Sequence, residues 1–425
     1  MTTIKVLDAA CGSGKSYYTY KDYEANPVEK YIYVTPYLDE ITRLQEQVPS
    51  LEFHSPRGAS KANDALRLLD SGKNIACTHA LYQAFTDEHI QTIKDQGYHL
   101  TLDEEIEVFS PFSCSVGDAQ HMQRHGSIEI VGKEQRVVLK EPLTNFVEDK
   151  ERKSETRRIA LAASKGTLYC GVKNGQVSYF VTQIPIDLIR AAKTTTIVTY
   201  RFKGSLFDHF LDIHDLKWEY LNVKLHKSNE QVISSLKRLI TFPEPTRATK
   251  KIEGFTLGQR FYETNATEDE LKDIGGAYRS IADPIQDKSK ILFTCPAIAK
   301  DKKLIDKAGR PYPNPRSIVR KKDGPIDHLW LAPNARATNA YDTKTEVIYF
   351  SKRSPNQYVV NYIESHGVSV DQDEISLSEM VQFVFRSAVR KGEPINLYVA
   401  SKKMRELFQN WLNDVEINLL EDIAA

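Results

Sequence analysis

The 425-residue sequence has little cysteine and no long apolar segment. Its five cysteines are scattered and form no C-x-x-C pair, which argues against zinc and a disulfide framework and favours a reducing cytoplasm. No apolar run approaches the roughly 20 residues that a membrane-spanning helix needs. Met1 leads directly into the first predicted strand, so we expect no signal peptide. We therefore expect a cytoplasmic protein without a membrane partner.

The sequence also has no excess of charge of either sign. Lys plus Arg and Asp plus Glu each number 57. Net charge therefore indicates no polyanionic partner, and a nucleic-acid surface would have to come from local clustering. No short-period repeat is present. The length predicts two or three domains, and the 41% of hydrophobic residues is enough for ordinary packed cores.

One segment near the N-terminus is typical of a phosphate-binding loop. It consists of Ala9, Ala10, Cys11, Gly12, Ser13, Gly14, Lys15 and Ser16. A β-prone segment precedes it and a helix-compatible segment follows, so backbone N–H groups and a helix N-terminus would face an anion. Lys15 can reach the β- and γ-phosphates, and the Ser16 hydroxyl can bind Mg²⁺. The sequence thus predicts that residues 10–16 bind ATP with Mg²⁺; the alternative is a chance Gly-Lys-Ser turn.

A second motif is the acidic group Asp103-Glu104-Glu105, which follows the predicted strand His99–Leu102. Asp103 can hold Mg²⁺ through water, and Glu104 can orient and deprotonate an attacking water. The alternative is a solvated loop. Because a phosphate loop lies upstream, we interpret the pair as the second half of a nucleotide site.

The order of predicted elements indicates an α/β fold with two parallel sheets. Strand-like and helical stretches alternate up to about Ser110, and again in the second half of the chain. We predict an N-terminal ATP-binding lobe over residues 1–202 and a C-terminal lobe over 203–425. Residues 110–185 break the alternation with β-hairpin patterns, one of them around Asn174-Gly175. We interpret them as an insertion with β-ribbons.

A third motif lies near the C-terminus, in a segment from Leu377 to Val389 that is predicted to be helical. Gln382, Arg386 and Arg390 are spaced by four residues and would share one helix face. A guanidinium from a second domain can stabilise charge on the γ-phosphate during hydrolysis, as an arginine finger does. The alternative is a basic face with surface ion pairs.

In motif order the chain resembles the superfamily 2 helicases, which have two RecA-like lobes. Ala9–Ser16 resembles motif I in its A-x-x-G-x-G-K-[ST] form, and Asp103–Ile106 resembles motif II. Gln382, Arg386 and Arg390 resemble motif VI; Arg386 is the favoured finger and Arg390 the alternative. The remaining matches are Thr35-Pro36 to motif Ia, Thr78-His79 within motif Ib, Val198–Tyr200 weakly to motif III, Thr294 within motif IV and Thr338 within motif V.

This resemblance implies contacts with a nucleic-acid strand through Thr35, Pro36, Thr78, His79, Thr294 and Thr338. A basic, proline-containing loop at about 299–323 includes Arg316 and Lys321, which could grip phosphates; the alternative is a solvated loop. Motif II ends in Ile106, which places the chain outside the DEAD and DEAH groups. The compact build resembles helicases of phage or viral replication or recombination, which would place the chain in the host cytoplasm.

The leading hypothesis is an ATP-dependent helicase or translocase that moves on a strand of DNA rather than RNA. A second is a nucleic-acid-stimulated ATPase that remodels or anneals strands without processive unwinding. A third is a small-molecule kinase with a phosphate loop. Replication or recombination proteins are candidate partners, and the sequence leaves the direction of movement and the oligomeric state open.

Overall fold

The computed structural model describes residues 2–147, 154–296, 329–333 and 340–424. It has two compact units. Unit 1 comprises Met1–Asp8, Lys15–Val223 and Pro355–Asp371, and unit 2 comprises Ala9–Gly14, Lys224–Ser354 and Gln372–Ala425. The predicted division at residues 202 and 203 remains a prediction. Within the described ranges, no helix is both long and apolar enough to cross a membrane.

The strands, in chain order, are β1 (Thr3–Asp8), β2 (Tyr31–Thr35), β3 (Ile75–Thr78), β4 (His99–Asp103), β5 (Phe109–Phe112), β6 (Ile128–Val131), β7 (Arg136–Leu139), β8 (Leu168–Lys173), β9 (Gln176–Gln183), β10 (Thr194–Thr199), β11 (Trp218–Tyr220), β12 (Ile240–Thr241), β13 (Ile291–Thr294), β14 (Glu346–Tyr349) and β15 (Ile395–Val399).

The α-helices are α1 (Lys15–Ala25), α2 (Leu38–Gln47), α3 (Lys61–Asp70), α4 (His79–Tyr82), α5 (Asp87–Gln96), α6 (Val116–Arg124), α7 (Thr144–Val147), α8 (Ser154–Ser164), α9 (Asp187–Arg190), α10 (Leu206–Ile213), α11 (Asn229–Leu239), α12 (Arg247–Ile252), α13 (Glu268–Ala282), α14 (Gln357–Ser365), α15 (Gln372–Val384) and α16 (Lys402–Ala424). Short 3₁₀ turns at Pro49–Leu51, Lys288–Lys290 and Ala388–Lys391 and a π-helical turn at Phe261–Asn265 complete the described elements.

Unit 1 contains a parallel sheet with the strand order β11-β1-β10-β4-β2-β3. Every residue of β2 is buried, which is typical of a parallel strand covered on both faces. Tyr20 and Tyr23 of α1 pack on one face of this sheet against Tyr31 and Tyr33 of β2. Because all its strands run the same way, their carboxyl ends meet at one edge, where ligands of such sheets bind.

Unit 1 also contains an antiparallel sheet with the order β5-β9-β8-β7-β6. Asn174 (φ 52°) and Gly175 (φ 77°) both adopt the left-handed conformation between β8 and β9, as a type I′ turn requires. The predicted hairpin and the β-ribbon insertion are thus confirmed. This sheet has its own core, which includes Phe146, Ile159 and Phe180.

Helix α14 belongs to unit 1 although it lies far along the chain. The ring of Tyr362 lies 6.2 Å from that of Tyr169 and 6.1 Å from that of Phe109. Its hydroxyl donates to the carbonyl oxygen of Glu134 at 2.6 Å. Packing against the insertion therefore recruits a helix that the sequence predicted to be part of the C-terminal lobe.

Unit 2 is built on a second parallel sheet with the order β12-β15-β14-β13. Its core includes Ile274 and Tyr278 of α13 and Phe293 of β13. Thr267 and Glu270 form a capping box that fixes the start of α13. The predicted α/β fold class, with two parallel sheets and an inserted antiparallel one, is confirmed.

Candidate functional site

The predicted phosphate loop lies between β1 and α1, as the motif requires. Helix α1 begins at Lys15, so the N–H groups of its first turn have no partner within the helix. Gly12 and Gly14 have φ values of 80° and 101°, which side-chain-bearing residues rarely adopt. The two glycines therefore permit a backbone turn that exposes N–H groups to an anion.

Residues 224–229 lie against this loop within unit 2. The Asn229 Oδ1 atom accepts a hydrogen bond from the Ala10 N–H at 2.7 Å, and the Lys227 N–H donates to the Ser13 carbonyl at 3.3 Å. A Cβ placed on Gly14 would lie only 2.6 Å from Cδ2 of His226. The segment thus anchors the start of the loop and places an imidazole beside Gly14. The sequence motif gave no sign of it.

One further observation, at the Ser13 hydroxyl, indicates that the loop can bind phosphate. The Ser13 hydroxyl is buried and, among the described residues, has no hydrogen-bond partner. A buried polar group without a partner costs about 1–3 kcal/mol. A phosphate oxygen at the loop would remove that cost. Ser16 is the second residue of α1, and its role as a Mg²⁺ ligand stays a prediction.

Asp103 is the last residue of β4 and lies at the same sheet edge as Asp8, the last residue of β1. Strand β10 separates β1 from β4, so their axes lie about 10 Å apart. The Tyr33 hydroxyl donates a short hydrogen bond to Oδ2 of Asp103. Burial, and then the charge of Glu104, raise the pKa of Asp103 to about 6. The site therefore holds a carboxylate whose charge a nearby cation would stabilise.

Glu104 has a φ of 70°, in the left-handed region. For a residue with a side chain this conformation costs on the order of 1–2 kcal/mol. Its N–H donates to the Val198 carbonyl of β10 at 2.9 Å, which holds the strained backbone in place. Strain of this kind concentrates where a side chain must point in one direction. We interpret the turn as a device that aims the Glu104 carboxylate.

Two further contacts connect the ends of neighbouring strands. The Thr199 hydroxyl of β10 donates to Oε1 of Glu105 at 3.1 Å. The Asp8 carboxylate accepts the N–H groups of Arg201 and Phe202 at 2.8 and 2.9 Å. These bonds fix the loops that follow β4 and β10. The segment Val198–Tyr200 therefore contacts the acidic residues, and its match to motif III stays a prediction.

The structure of residues 382–390, which contain both motif arginines, differs from the predicted helix. Gln382, Arg386 and Arg390 do not share one helix face, because α15 ends at Val384. Ser387 has extended backbone, and its hydroxyl donates to the Val384 carbonyl at 2.6 Å, which closes the helix end. Arg386 lies in this turn, and Arg390 lies in the following 3₁₀ turn. The prediction of a continuous helix to Val389 was therefore wrong.

The two arginines also differ in burial. Arg386 is only 3% exposed, and its Nε and Nη2 atoms have no hydrogen-bond partner in the part of the chain that the structure describes. Arg390 is exposed. Gln382 is buried at the end of α15. A buried guanidinium with open donors can bind an anion. The assignment of Arg386 rather than Arg390 as the finger stays a prediction.

The predicted nucleic-acid residues have varied positions. Thr35 is buried at the end of β2, and Pro36 follows it. The Thr78 side chain caps α4, which His79 begins. Thr294 is buried and donates to the Leu331 carbonyl at 2.8 Å. Arg316, Lys321 and Thr338 lie outside the described residues. The contacts of all these residues with nucleic acid remain predictions.

Comparison with known proteins shows that one family matches the C-terminal part of the chain and that one relative aligns with nearly all of it. The family described as the YonV C-terminal Rossmann-like domain matches residues 234–412. The SPbeta prophage-derived uncharacterized protein YonV of Bacillus subtilis strain 168 is 27% identical over 442 residues. That alignment covers 97% of this chain and 100% of the relative.

Among solved structures, apo XPD is similar with a TM-score of 0.50 and 12% identity, over 97% of this chain and 95% of that chain. A structure of an XPD helicase aligns with a TM-score of 0.45, at 12% identity and over the same shares of the two chains. The first of these supports a shared fold over nearly the whole length. The Rossmann-like family match agrees with the parallel sheet of unit 2.

Proposed function

We propose that the chain is an ATP-dependent nucleic-acid helicase or translocase. The observation that carries this proposal is the edge of the parallel sheet in unit 1. There the strand–loop–helix phosphate motif follows β1, and the acidic pair follows β4 at the same edge. The fold similarity to XPD and the second parallel unit support a motor rather than a simple nucleotide-binding module.

Each residue then has a distinct task. Lys15 binds the β- and γ-phosphates, and the loop N–H groups bind phosphate oxygens. Ser16 and Asp103 are the residues that would hold Mg²⁺, which neutralises phosphate charge when bound. Glu104 orients the attacking water and accepts its proton. Arg386 stabilises the negative charge that develops on the γ-phosphate oxygens.

ATPase rates of the full chain test the proposal directly. We expect hydrolysis that single-stranded DNA stimulates, measured beside duplex DNA, branched DNA and RNA. Lys15→Ala should abolish turnover and preserve much of the nucleic-acid binding. Glu104→Gln should lower the turnover rate at least about 100-fold and preserve ATP binding. Full turnover in a clean Lys15→Ala preparation would contradict the assignment.

Strand-displacement assays distinguish a helicase or translocase from the two alternative functions. Duplexes with single-stranded tails should be unwound in the presence of ATP. Stimulated hydrolysis without displacement would favour an ATPase that remodels or anneals strands. Hydrolysis that no DNA or RNA stimulates would favour a small-molecule kinase.

A further inference from the structure

Helix α10 of unit 1 carries a cluster of metal-binding side chains that belong to none of the nucleotide motifs. Asp208, His209 and Asp212 each offer one ligand atom, and these atoms all lie within 4.8 Å of one another. The spacing explains the convergence. Asp208 and Asp212 are four residues apart on the helix and His209 and Asp212 three apart, so all three side chains are neighbours on its surface.

His209 is the member whose environment needs explanation. It is 6% exposed, and neither ring nitrogen has a hydrogen-bond partner among the residues that the structure describes. Leaving a buried polar group unsatisfied costs about 1–3 kcal/mol. A metal bound to one ring nitrogen would give this buried imidazole a partner.

Asp208 is oriented by its own hydrogen bonds. Its Oδ1 atom accepts the Trp218 indole N–H at 2.7 Å, and its Oδ2 atom accepts the Gly204 N–H at 2.8 Å. Each carboxylate oxygen keeps a further lone pair for a cation. Outer hydrogen bonds of this kind hold metal-binding side chains in one orientation. The carboxylate is therefore preset before any ion binds.

Asp212 completes the cluster from the solvent side. It is exposed, whereas Asp208 and His209 are buried. Two neighbouring carboxylates repel each other, and a divalent cation bound between them and the imidazole would remove that repulsion. The exposed carboxylate also gives the cation a route from solvent.

We propose that Asp208, His209 and Asp212 form a Zn²⁺ site, with water in the remaining coordination position. A nitrogen ligand beside two carboxylates suits zinc better than Mg²⁺ or Ca²⁺, which prefer oxygen alone. Tetrahedral zinc bonds of about 2.0–2.2 Å place ligand atoms roughly 3.4 Å apart, so the side chains must move together from the observed spacing of up to 4.8 Å. Through Asp208 and Trp218 the ion stabilises the packing of α10 against β11. This site is independent of the proposed ATPase activity.

Zinc titration of the full chain by calorimetry tests the site. His121 and His125 form an exposed pair with ring centroids 4.2 Å apart, and they could bind zinc themselves. The starting protein therefore carries His121→Gln and His125→Gln. We expect it to bind one zinc ion at the cluster. Adding Asp212→Asn should weaken that binding at least about 10-fold, and His209→Gln should do the same.

Asp187→Asn serves as the control, because Asp187 is an exposed carboxylate of the same unit. Asp212 is also exposed, so its variant should fold, which circular dichroism verifies. Bound Co²⁺ gives a second measurement, since its visible absorption should change in the His209→Gln protein. Equal zinc affinity in the Asp212→Asn protein and its parent would overturn the proposal.

Discussion

The acidic end of β4 carries a half-buried charged residue and the arginine turn after α15 a buried one, and the two differ in their hydrogen bonds. Asp103 has a hydrogen-bond donor in Tyr33, within its own unit. Arg386 is more deeply buried, yet its Nε and Nη2 atoms have no hydrogen-bond partner among the described residues. The Asp103 carboxylate is therefore oriented before any ligand binds. The Arg386 guanidinium keeps donors without a partner, and this costs free energy that an anionic ligand would recover.

Among the residues of the two compared regions, Arg386 should have the largest effect. We expect Arg386→Gln to lower kcat for ATP hydrolysis about 1000-fold, because the developing charge on the γ-phosphate loses its guanidinium. Arg390→Gln, which alters an exposed side chain, should lower kcat less than about 10-fold. Steady-state rates at saturating ATP and nucleic acid measure both.

Arg386→Lys serves as a matched variant, because it keeps the charge and removes the planar fork of donors. We expect the kcat of Arg386→Lys to lie between those of the wild type and Arg386→Gln. Thermal unfolding should show no loss of stability in Arg386→Gln, since that change removes a buried charge without breaking a described hydrogen bond of its Nε or Nη2 atoms. If Arg390→Gln has the larger effect on kcat, Arg390 is the finger.

The next largest effect is on the free energy of unfolding, and it arises from the raised pKa of Asp103. Its pKa in the folded protein is raised from 3.8 to about 6, so the folded state binds the proton more tightly than the unfolded state. The contribution of Asp103 to the free energy of unfolding should therefore fall as the pH rises from about 4 to about 6, by up to about 3 kcal/mol. Asp103→Asn removes this dependence and should be more stable at pH 7.5.

Urea unfolding of the wild type and Asp103→Asn at pH 4 and 7.5 measures this difference. We expect the two proteins to differ at pH 7.5 and to converge near pH 4, where Asp103 is protonated. Asp95→Asn is the control, because Asp95 is exposed on α5. A constant difference at both pH values would show that packing, rather than ionisation, distinguishes the variant.

The sequence was sufficient for the glycine turn after β1 and the sheet around it. Gly12 and Gly14 occur where the turn needs positive φ, and the alternation of strand-like and helical stretches predicted the parallel sheet. The hairpin at Asn174-Gly175 was also predictable, because few other dipeptides accept two left-handed residues. These features depend on local chemistry, which a short stretch of sequence records.

The contacts that define the site were less predictable. Tyr33 meets Asp103 only because β2 and β4 are neighbours, and strand order is a tertiary property. The sequence pattern extended helix α15 to Val389, whereas the Ser387 hydroxyl closes it at Val384. Helix α14 packs with the insertion through Tyr362, far from its place in the sequence. Such long-range contacts leave no signal in a single sequence.

Tyr33→Phe tests whether the hydrogen bond at Asp103 matters for turnover. We expect kcat to fall about 10-fold, since the carboxylate loses the donor that orients it. That bond also lowers the pKa of Asp103, so its loss should raise this pKa and shift the acidic limb of the ATPase pH profile to higher pH. Tyr31→Phe is the control, because the Tyr31 hydroxyl donates to the Asn26 carbonyl. An unchanged pH profile would show that Tyr33 contributes only packing and does not affect the ionisation of Asp103.

The smallest effect should come from the imidazole beside the phosphate loop. His226 lies against Gly14, so its ring borders the space that phosphate oxygens would occupy. We expect His226→Ala to raise the KM for ATP about threefold and leave kcat unchanged, as removal of a contact made equally in the ground and transition states does. Lys227→Ala is the matched control, because Lys227 reaches Ser13 through its backbone N–H, which alanine keeps. A lower KM in His226→Ala would instead show that the ring obstructs the loop and must move before ATP binds. In that case the phosphate loop, unlike the acidic end of β4, is not preset for its ligand.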